Sequence, residues 1–387
     1  MAANPLLTIN EYGQSIWMDY LDRKFIESGD LKDLVENHGI TGITSNPAIF
    51  QKAIANSDLY DGAMEKGAKA GKSVDEVYES IVCADIRDAC DILRPVFERT
   101  EGQDGYVSLE VSPLLARDTK QGTIEEARRL HRMIDRDNLM IKIPGTPEGF
   151  PAIEQAIAEG ISVNITLLFS VDSYIEAAQA YMRGLEKRIQ EGKPIDRIAS
   201  VASFFLSRID TKVDDRIDER IKAIGTETLN EEARLAQMKG KVAIANAKIA
   251  YEKFQEMLAS DRWKALADKG ANIQRLLWAS TSTKNPEYRD VMYIEELIGP
   301  NTINTLPPET ISACEDHCDP KANTVEDKLS EAHNLIETLS SSDVQINLDE
   351  VMNELLEEGI DKFVQPFESL KQSLQNKMNR LSTAQAR

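Results

Sequence analysis

The chain has 387 residues, of which 42% are hydrophobic and 28% are charged, and its formal net charge is -20. This length is sufficient for one large barrel domain or for two domains of ordinary size. The acidic balance argues against nucleic acid and acidic membranes as partners, because basic residues dominate binding to both. No apolar run approaches the roughly 18 residues of a membrane helix, and MAANPLLTINEYG at the N-terminus lacks a signal-peptide pattern. We therefore expect a cytoplasmic protein that holds any anionic substrate through local cations.

Apolar, β-branched segments alternate along the chain with amphipathic helical patterns. The predicted strands, given by number, are 15–21, 42–46, 106–112, 139–145, 162–170, 198–207, 274–282 and 301–307. Eight nearly continuous apolar strands, each followed by helix, are typical of a parallel sheet that is covered on all sides. The pattern predicts an α/β protein with a (β/α)8 TIM barrel rather than an open doubly wound sheet. No glycine-rich dinucleotide turn and no Walker loop follows any strand.

The helical segments carry recognisable end signals. Ser73 and Glu76 have the spacing of a capping box at the start of one helix. The helix after the sixth strand is predicted to end at Gly225. From residue 311 onward the pattern is polar and helical. We therefore predict a catalytic barrel over residues 1–310 and a helical C-terminal extension over residues 311–387 that packs on it.

The four cysteines form no metal-binding pattern. Cys83 and Cys90 lie seven residues apart on a predicted helix, whereas Cys314 and Cys318 bracket His317 in CEDHC. The second cluster is a weak zinc or redox candidate, because it has a spacing of four and no second pair elsewhere. We interpret the thiols as structural and predict no metal site.

Polar residues interrupt the apolar strands near their carboxyl ends, where a barrel places its chemistry. From strand one to strand seven they are Asp19, Thr44, Asn46, Glu110, Lys142, Asn164, Thr166, Ser203, Arg208, Ser280 and Lys284. Considered alone, a strand lysine often lies at the surface, a carboxylate is often an ion-pair partner, and an asparagine before proline often forms a turn. Their joint occurrence on separate strands favours one polar cavity that contains a lysine and two carboxylates.

Lys142 lies in the apolar segment LMIKIPGTPEG, where an unpaired ammonium group is costly to bury. An amine that is withdrawn from water is more readily neutral, and a neutral amine can attack a ketone to form a Schiff base. The protonated imine withdraws electrons, so that a neighbouring carbon–carbon bond can break to give an enamine. Nearby carboxylates would move the protons and hold the water. The residues therefore predict nucleophilic catalysis on a carbonyl compound.

Six segments, in chain order, carry a resemblance to a known family. ITGITSNPAIFQKAI, VSLEV, LMIKIPGTPEG, SVNITLLFS, SFFLSRID and LLWASTSTKNPEYRD resemble the transaldolase family, in particular its longer bacterial branch. The resemblance implies transfer of a dihydroxyacetone unit from sedoheptulose 7-phosphate or fructose 6-phosphate to glyceraldehyde 3-phosphate or erythrose 4-phosphate. It also implies a place in the non-oxidative pentose phosphate pathway and no metal or organic cofactor.

The resemblance further implies roles for individual residues. Lys142 matches the Schiff-base lysine, Asp19 matches the general acid/base, and Glu110 with Thr166 matches the pair that positions the catalytic water. The positions that match contacts to the sugar and its phosphate are Thr44, Asn46, Asn164, Ser203 and Arg208. Shorter members carry an arginine after strand seven, where this chain reads ASTSTKNP, so Lys284, close to Ser280, is the candidate second phosphate ligand.

Two other features complete the expectations. Phe204 and Phe205 are candidates for an apolar wall that keeps water from the enamine, with simple core packing as the alternative. Two other functions stay open: a Schiff-base aldolase of the same barrel type, and a barrel scaffold without catalysis. No pattern predicts the oligomeric state, the preferred donor ketose or the role of the C-terminal helices.

Overall fold

The computed structural model describes residues 4–55, 57–117, 120–224 and 229–384. Within these ranges, eight parallel strands pair in chain order and close into a barrel, with β8 next to β1. The strands are β1 Gln14–Met18, β2 Ile40–Ile43, β3 Val107–Glu110, β4 Leu139–Pro144, β5 Val163–Leu168, β6 Ser200–Phe205, β7 Arg275–Ala279 and β8 Thr302–Leu306. The predicted (β/α)8 barrel is confirmed.

The second strand is displaced from its predicted position. It covers residues 40–43 instead of 42–46, and Thr44 and Asn46 follow its end. The reason lies in the next helix, because the Asn46 side chain accepts a hydrogen bond from the Ile49 amide at 3.1 Å. Asn46 therefore caps a helix that starts at Pro47, and the chain leaves the sheet before it reaches these residues.

Helices surround the barrel and fill the connections between strands. In chain order they are α1 Pro5–Glu11, α2 Arg23–Glu27, α3 Asp30–Asn37, α4 Pro47–Ala55, α5 Asp61–Lys69, α6 Val74–Arg99, α7 Lys120–Ile134, α8 Phe150–Glu159, α9 Val171–Gln190, α10 Ser207–Ile224, α11 Leu229–Ala236, α12 Val242–Ala259, α13 Asp261–Ala267, α14 Met292–Glu295, α15 Pro308–His317, α16 Leu329–Leu339 and α17 Leu348–Ala384. Short 3₁₀ helices occur at Pro113–Leu115 and Thr324–Glu326. None of the helices in the described part of the chain has the length and apolar character needed to cross a bilayer.

The predicted capping box is present at the start of α6. The Glu76 amide donates to Ser73 Oγ at 3.3 Å, and the Ser73 amide donates to Glu76 Oε2 at 2.8 Å. Two amides that would otherwise lack partners at the helix start are thus satisfied reciprocally. The predicted stop at Gly225 lies outside the described residues.

A polar network ties the amino-terminal ends of the barrel strands together. Asp104, just before β3, accepts from Trp17 Nε1 at 2.7 Å and lies 3.4 Å from Arg275 Nη1. Arg275 also donates to Ser15 Oγ at 2.6 Å and to the Thr302 carbonyl at 2.7 Å. The network joins β1, β7 and β8 at the end of the barrel opposite to the strand carboxyl termini.

The long helix α17 packs on the other end of the barrel. It contacts α4, α5, α6, α10 and β5. Ion pairs hold both of its halves: Glu354 lies 2.9 Å from Lys212 of α10, and Lys371 lies 2.7 Å from Asp75 of α6. The division of the chain into a barrel and an extension at residue 310 stays a prediction.

Arg275→Met should lower the free energy of unfolding by about 3 kcal/mol, because Asp104 stays buried and loses its cation. The side chains of Arg275 and Asp104 are 14% and 6% exposed, so water can replace the lost partner only poorly. Urea unfolding of purified protein measures the change. Arg94→Met, which removes an exposed ion pair to Glu98, is the control and should cost about 0.5 kcal/mol or less. Equal losses in the two variants would contradict the assignment.

Candidate active site

A cavity of about 510 Å³ opens at the carboxyl ends of the strands. The sequence-predicted residues that line it are Asp19, Thr44, Asn46, Lys142, Thr166, Ser203, Arg208, Ser280 and Lys284. The other two predicted residues lie directly behind this lining, since Glu110 is next to Lys142 and Asn164 bonds to Ser203. The structure therefore brings together polar residues from strands that are far apart in sequence.

Lys142 lies in the middle of this lining and is 5% exposed. Its Nζ donates to the Ser45 carbonyl at 3.2 Å and lies 3.5 Å from Glu110 Oε2. The strand register explains the arrangement, because Lys142 pairs with Glu110 of β3 on one side and Asn164 of β5 on the other. The buried ammonium group is thus placed beside one carboxylate and one carbonyl.

The surroundings of Glu110 disfavour its charged form. Burial raises the pKa of Glu110 from 4.5 to about 7, and the charge of Lys142 opposes the shift. Within the described residues neither oxygen of Glu110 has a hydrogen-bond partner, and the same is true of Thr166 Oγ1. Buried polar atoms normally have a partner, so these three atoms mark a place where water or substrate would bind.

Asp19 follows β1 and forms the start of a hydroxyl chain. Thr44 Oγ1 donates to Asp19 Oδ1 at 2.7 Å, and Thr305 Oγ1 lies 2.7 Å from Thr44 Oγ1. Because a hydroxyl group has one hydrogen, Thr305 donates to Thr44 while Thr44 donates to Asp19. Burial raises the pKa of Asp19, against the lowering effects of Lys142 and Thr44.

Asn164 links three strands beneath the cavity. Its Nδ2 donates to Ser108 Oγ at 3.0 Å, and its Oδ1 accepts from Ser203 Oγ at 2.7 Å. The side chain is fully buried. Asn164 therefore orients Ser203 and packs beside Lys142, without itself lining the cavity.

Two cations lie at another side of the cavity. Burial lowers the pKa of Arg208, and within the described residues its buried Nη1 has no hydrogen-bond partner. Lys284 donates to Ser282 Oγ at 2.7 Å. Burial and the charge of Arg208 lower the pKa of Lys284. An anion bound here would offset both the burial and the repulsion.

Two non-glycine residues beside the cavity have a left-handed backbone. Leu167 has φ 61°, and it directly follows Thr166 at an irregularity in the pairing of β5 with β6. Ser280 has φ 55°, and its Oγ lies 2.9 Å from Ser207 Oγ. Such conformations cost about 1 to 3 kcal/mol each and concentrate at functional sites. These strained residues change the direction of the chain at the ends of β5 and β7.

Sequence reasoning missed residues that complete the cavity. Thr305 carried a usable signal, since it is a hydroxyl in an apolar strand. The Ser45 carbonyl and Phe363 of α17 carried none. The Phe363 ring centroid lies 5.5 Å from Lys142 Nζ, although the sequence around Phe363 reads as an ordinary amphipathic helix. The extension therefore contributes side chains to the cavity.

The two phenylalanines of β6 have different surroundings. Phe205 lines the cavity, and its ring lies 5.3 Å from the Arg208 guanidinium carbon. Phe204 points the other way and packs edge-to-face on Trp278, with ring centroids 6.2 Å apart. Of the predicted pair, Phe205 alone is at the cavity, and Phe204 is a packing residue.

The four cysteines are free and buried. A hydrogen bond to Cys318, together with burial, raises the pKa of Cys314. Across the described ranges, no group of three histidine, cysteine, aspartate or glutamate side chains is placed to hold a metal ion.

Comparison with known proteins identifies the family. Residues 16–374 match the family model described as Transaldolase/Fructose-6-phosphate aldolase. The chain belongs to this family.

It is 62% identical over 382 residues to the transaldolase 2 of Nostoc sp. (strain PCC 7120), with 99% of this chain and 100% of that protein covered. A transaldolase of Trichodesmium erythraeum is 60% identical over 382 residues, with coverage of 99% and 100%. A transaldolase of Thermobifida fusca is 45% identical over 367 residues, with coverage of 95% and 96%. The chain is thus an enzyme of the transaldolase class.

Glu110→Gln should stabilise the folded protein by about 2 to 3 kcal/mol near pH 8 and have little effect near pH 4. The folded-state pKa is raised from 4.5 to about 7, so the native protein keeps a proton that the unfolded chain releases between these values. Stability from this group is therefore full below pH 4.5 and is lost as the pH rises through about 7. Glutamine resembles the protonated acid and does not ionise. Urea unfolding across this pH range measures the difference.

The control for this experiment is Glu159→Gln, for which the sign is opposite. A hydrogen bond from Arg128 lowers the pKa of Glu159, so this carboxylate stabilises the protein above its ordinary pKa and loses that effect in acid. The pair is partly exposed, so the loss near neutral pH should be about 0.5 kcal/mol. A difference between Glu110→Gln and wild type that did not vary with pH would contradict the raised pKa.

Proposed function

We propose that this enzyme transfers a dihydroxyacetone unit through a Schiff base on Lys142. The donor is sedoheptulose 7-phosphate or fructose 6-phosphate, and the acceptor is glyceraldehyde 3-phosphate or erythrose 4-phosphate, as in the non-oxidative pentose phosphate pathway. The observation that carries the proposal is the buried Lys142 amine, which lies between Glu110 and an open cavity. A cytoplasmic location and the lack of nucleic-acid and membrane partners stay predictions from charge.

Imine formation uses Lys142, Glu110 and Thr166. The neutral amine adds to the ketone carbon of the donor, and the resulting carbinolamine loses water. With a pKa near 7, Glu110 can give and take a proton at neutral pH, which suits a general acid/base. The unpartnered Thr166 hydroxyl would hold the released water beside Glu110.

Cleavage of the carbon–carbon bond uses Asp19. The carboxylate takes the proton of the hydroxyl group on the carbon that departs, the aldehyde leaves, and the bonding electrons pass into the enamine. Thr44 and Thr305 hold the carboxylate in one orientation. When an acceptor aldehyde arrives, the same steps run in reverse, and Asp19 returns the proton. The protonated imine is the electron sink, so the proposal requires no metal or organic cofactor.

Binding of the sugar phosphate uses the cationic side of the cavity. Arg208, whose Nη1 has no hydrogen-bond partner among the described residues, would donate to a phosphate oxygen, and Lys284 would supply the second charge. Ser203, Ser280, Asn46 and the Thr44 hydroxyl are the remaining polar groups at hand for the sugar hydroxyls and the phosphate. Donor and acceptor carry their phosphates at one end, so one anion site serves both in turn.

Borohydride reduction in the presence of fructose 6-phosphate should leave a dihydroxyacetone adduct on Lys142, found by intact mass and peptide mapping. Lys142→Ala should give no adduct. Lys248→Ala is the matched control, because Lys248 is also buried, yet pairs with Glu296 at 3.3 Å outside the cavity. This variant should be labelled like wild type. A folded wild-type protein without adduct, or with the adduct on another lysine, would overturn the mechanism.

Arg208→Gln should raise KM for fructose 6-phosphate by about 10- to 100-fold, which is the loss of one charge-assisted hydrogen bond. Lys284→Gln should raise KM less, because Lys284 Nζ already donates a hydrogen bond to Ser282 Oγ. Steady-state kinetics in both donor and acceptor measure the change. Arg216→Gln, on the same helix as Arg208 but paired with Glu354, is the control. A KM for Arg208→Gln equal to that of wild type would remove Arg208 from the anion site.

A further inference from the structure

One face of α17 lies across the opening of the barrel. Gly359 approaches the barrel so closely that a Cβ there would lie 3.0 Å from Leu167 Cδ2 and 3.6 Å from Arg208 Nη1. Four residues later, Phe363 faces Lys142. After another four, Phe367 packs edge-to-face on Tyr78, with ring centroids 5.6 Å apart. Residues at a spacing of four share one helix face, so this face of α17 runs along the cavity from Arg208 to Lys142.

The surroundings of Lys142 Nζ are polar on one side and aromatic on another. The Ser45 carbonyl and Glu110 provide the polar contacts. Phe363, which is 6% exposed, presents its ring 5.5 Å from Nζ. A dihydroxyacetone unit attached to Nζ would therefore be carried next to this ring.

Ion pairs on both sides of Phe363 tie α17 to neighbouring helices. Toward the N-terminus of α17, Lys212 of α10 pairs with Glu354 and Glu358. Toward the C-terminus, Lys377 of α17 pairs with Asp61 of α5. A helix that is fixed at two ends positions its intermediate side chains more strictly than a free one, because fewer of its motions remain open. Phe363, which is buried and lines the cavity, lies on this tethered part of the helix.

Transfer and release differ in what reacts with the enamine carbon. In transfer, the enamine carbon attacks the acceptor aldehyde. In release, the enamine carbon takes up a proton instead, one water adds to the iminium carbon, the bond to Lys142 Nζ breaks, and dihydroxyacetone departs. In both routes one water finally hydrolyses the imine on Lys142, so the two differ only at the enamine carbon. Keeping proton-donating water away from that carbon suppresses its protonation and therefore suppresses release.

We propose that Phe363 is a specificity-determining residue of the active site, and that its ring keeps water from the enamine on Lys142 so that the acceptor aldehyde is used. The inference rests on the proposed function. It assigns part of the active site to the C-terminal extension, which none of the barrel motifs includes. Phe205 lines the same cavity, so Phe363 acts as one of two aromatic walls.

The test compares release with transfer in Phe363→Ala, Phe363→Leu and Phe367→Leu. Release is the rate at which dihydroxyacetone forms from fructose 6-phosphate alone, and transfer is the rate with erythrose 4-phosphate added. The ratio of release to transfer should rise about tenfold in Phe363→Ala and by a smaller factor in Phe363→Leu. Phe367→Leu alters a buried phenylalanine one turn away that faces Tyr78, and it should keep the wild-type ratio.

The possible results distinguish a failure of this inference from a failure of the proposed function. Borohydride labelling of wild type on Lys142 is measured first, and its absence would remove the proposed function. If labelling is present and the ratio in both Phe363 variants equals that of wild type, Phe363 is a packing residue and the inference is wrong. If Phe363→Ala does not fold, Phe363→Leu decides. An equal rise in Phe367→Leu would assign the effect to general loosening of α17 and would also overturn the inference.

Discussion

The placement of one ammonium group inside the barrel constrains most of the site. Lys142 and Glu110 are neighbours because β3 and β4 pair in a register that aligns them, and burial keeps bulk water away from both. Two charges in such a place cost several kcal/mol to desolvate, which their attraction repays only in part. The raised pKa of Glu110 is the visible result. The Lys142–Glu110 pair therefore contributes little stability, and Glu110 can gain or lose its proton near neutral pH.

The Asp104–Arg275 network and the cavity differ in how their polar groups are bonded. At the amino-terminal end, Asp104 and Arg275 are bonded to Trp17, Ser15 and a backbone carbonyl, and the network closes on itself. Around the cavity, within the described residues, Glu110, Thr166 and Arg208 each have a buried polar atom without a partner, and two backbone conformations are strained. A network in which every polar group is hydrogen-bonded makes a core rigid, whereas buried polar atoms without partners are available to bind a ligand.

The sequence predicted the barrel well because its signal is periodic and repeated. Eight apolar strands alternate with helices, and polar residues such as Lys142 stand out against them. The position of β2 was wrong, because the cap formed by Asn46 competes with strand pairing and short apolar runs do not define their own ends. Phe363 was missed for a different reason. A phenylalanine on an amphipathic helix signals burial, but the surface that buries it depends on tertiary packing that local pattern does not contain.

The order of the chain gives the position of α17 a consequence for biosynthesis. All eight strands precede α17 in sequence, so the barrel residues around Lys142 are made before Phe363. Domains fold from the N-terminus as synthesis proceeds. Phe363 can therefore take its place beside Lys142 only after all eight strands of the barrel have been synthesised.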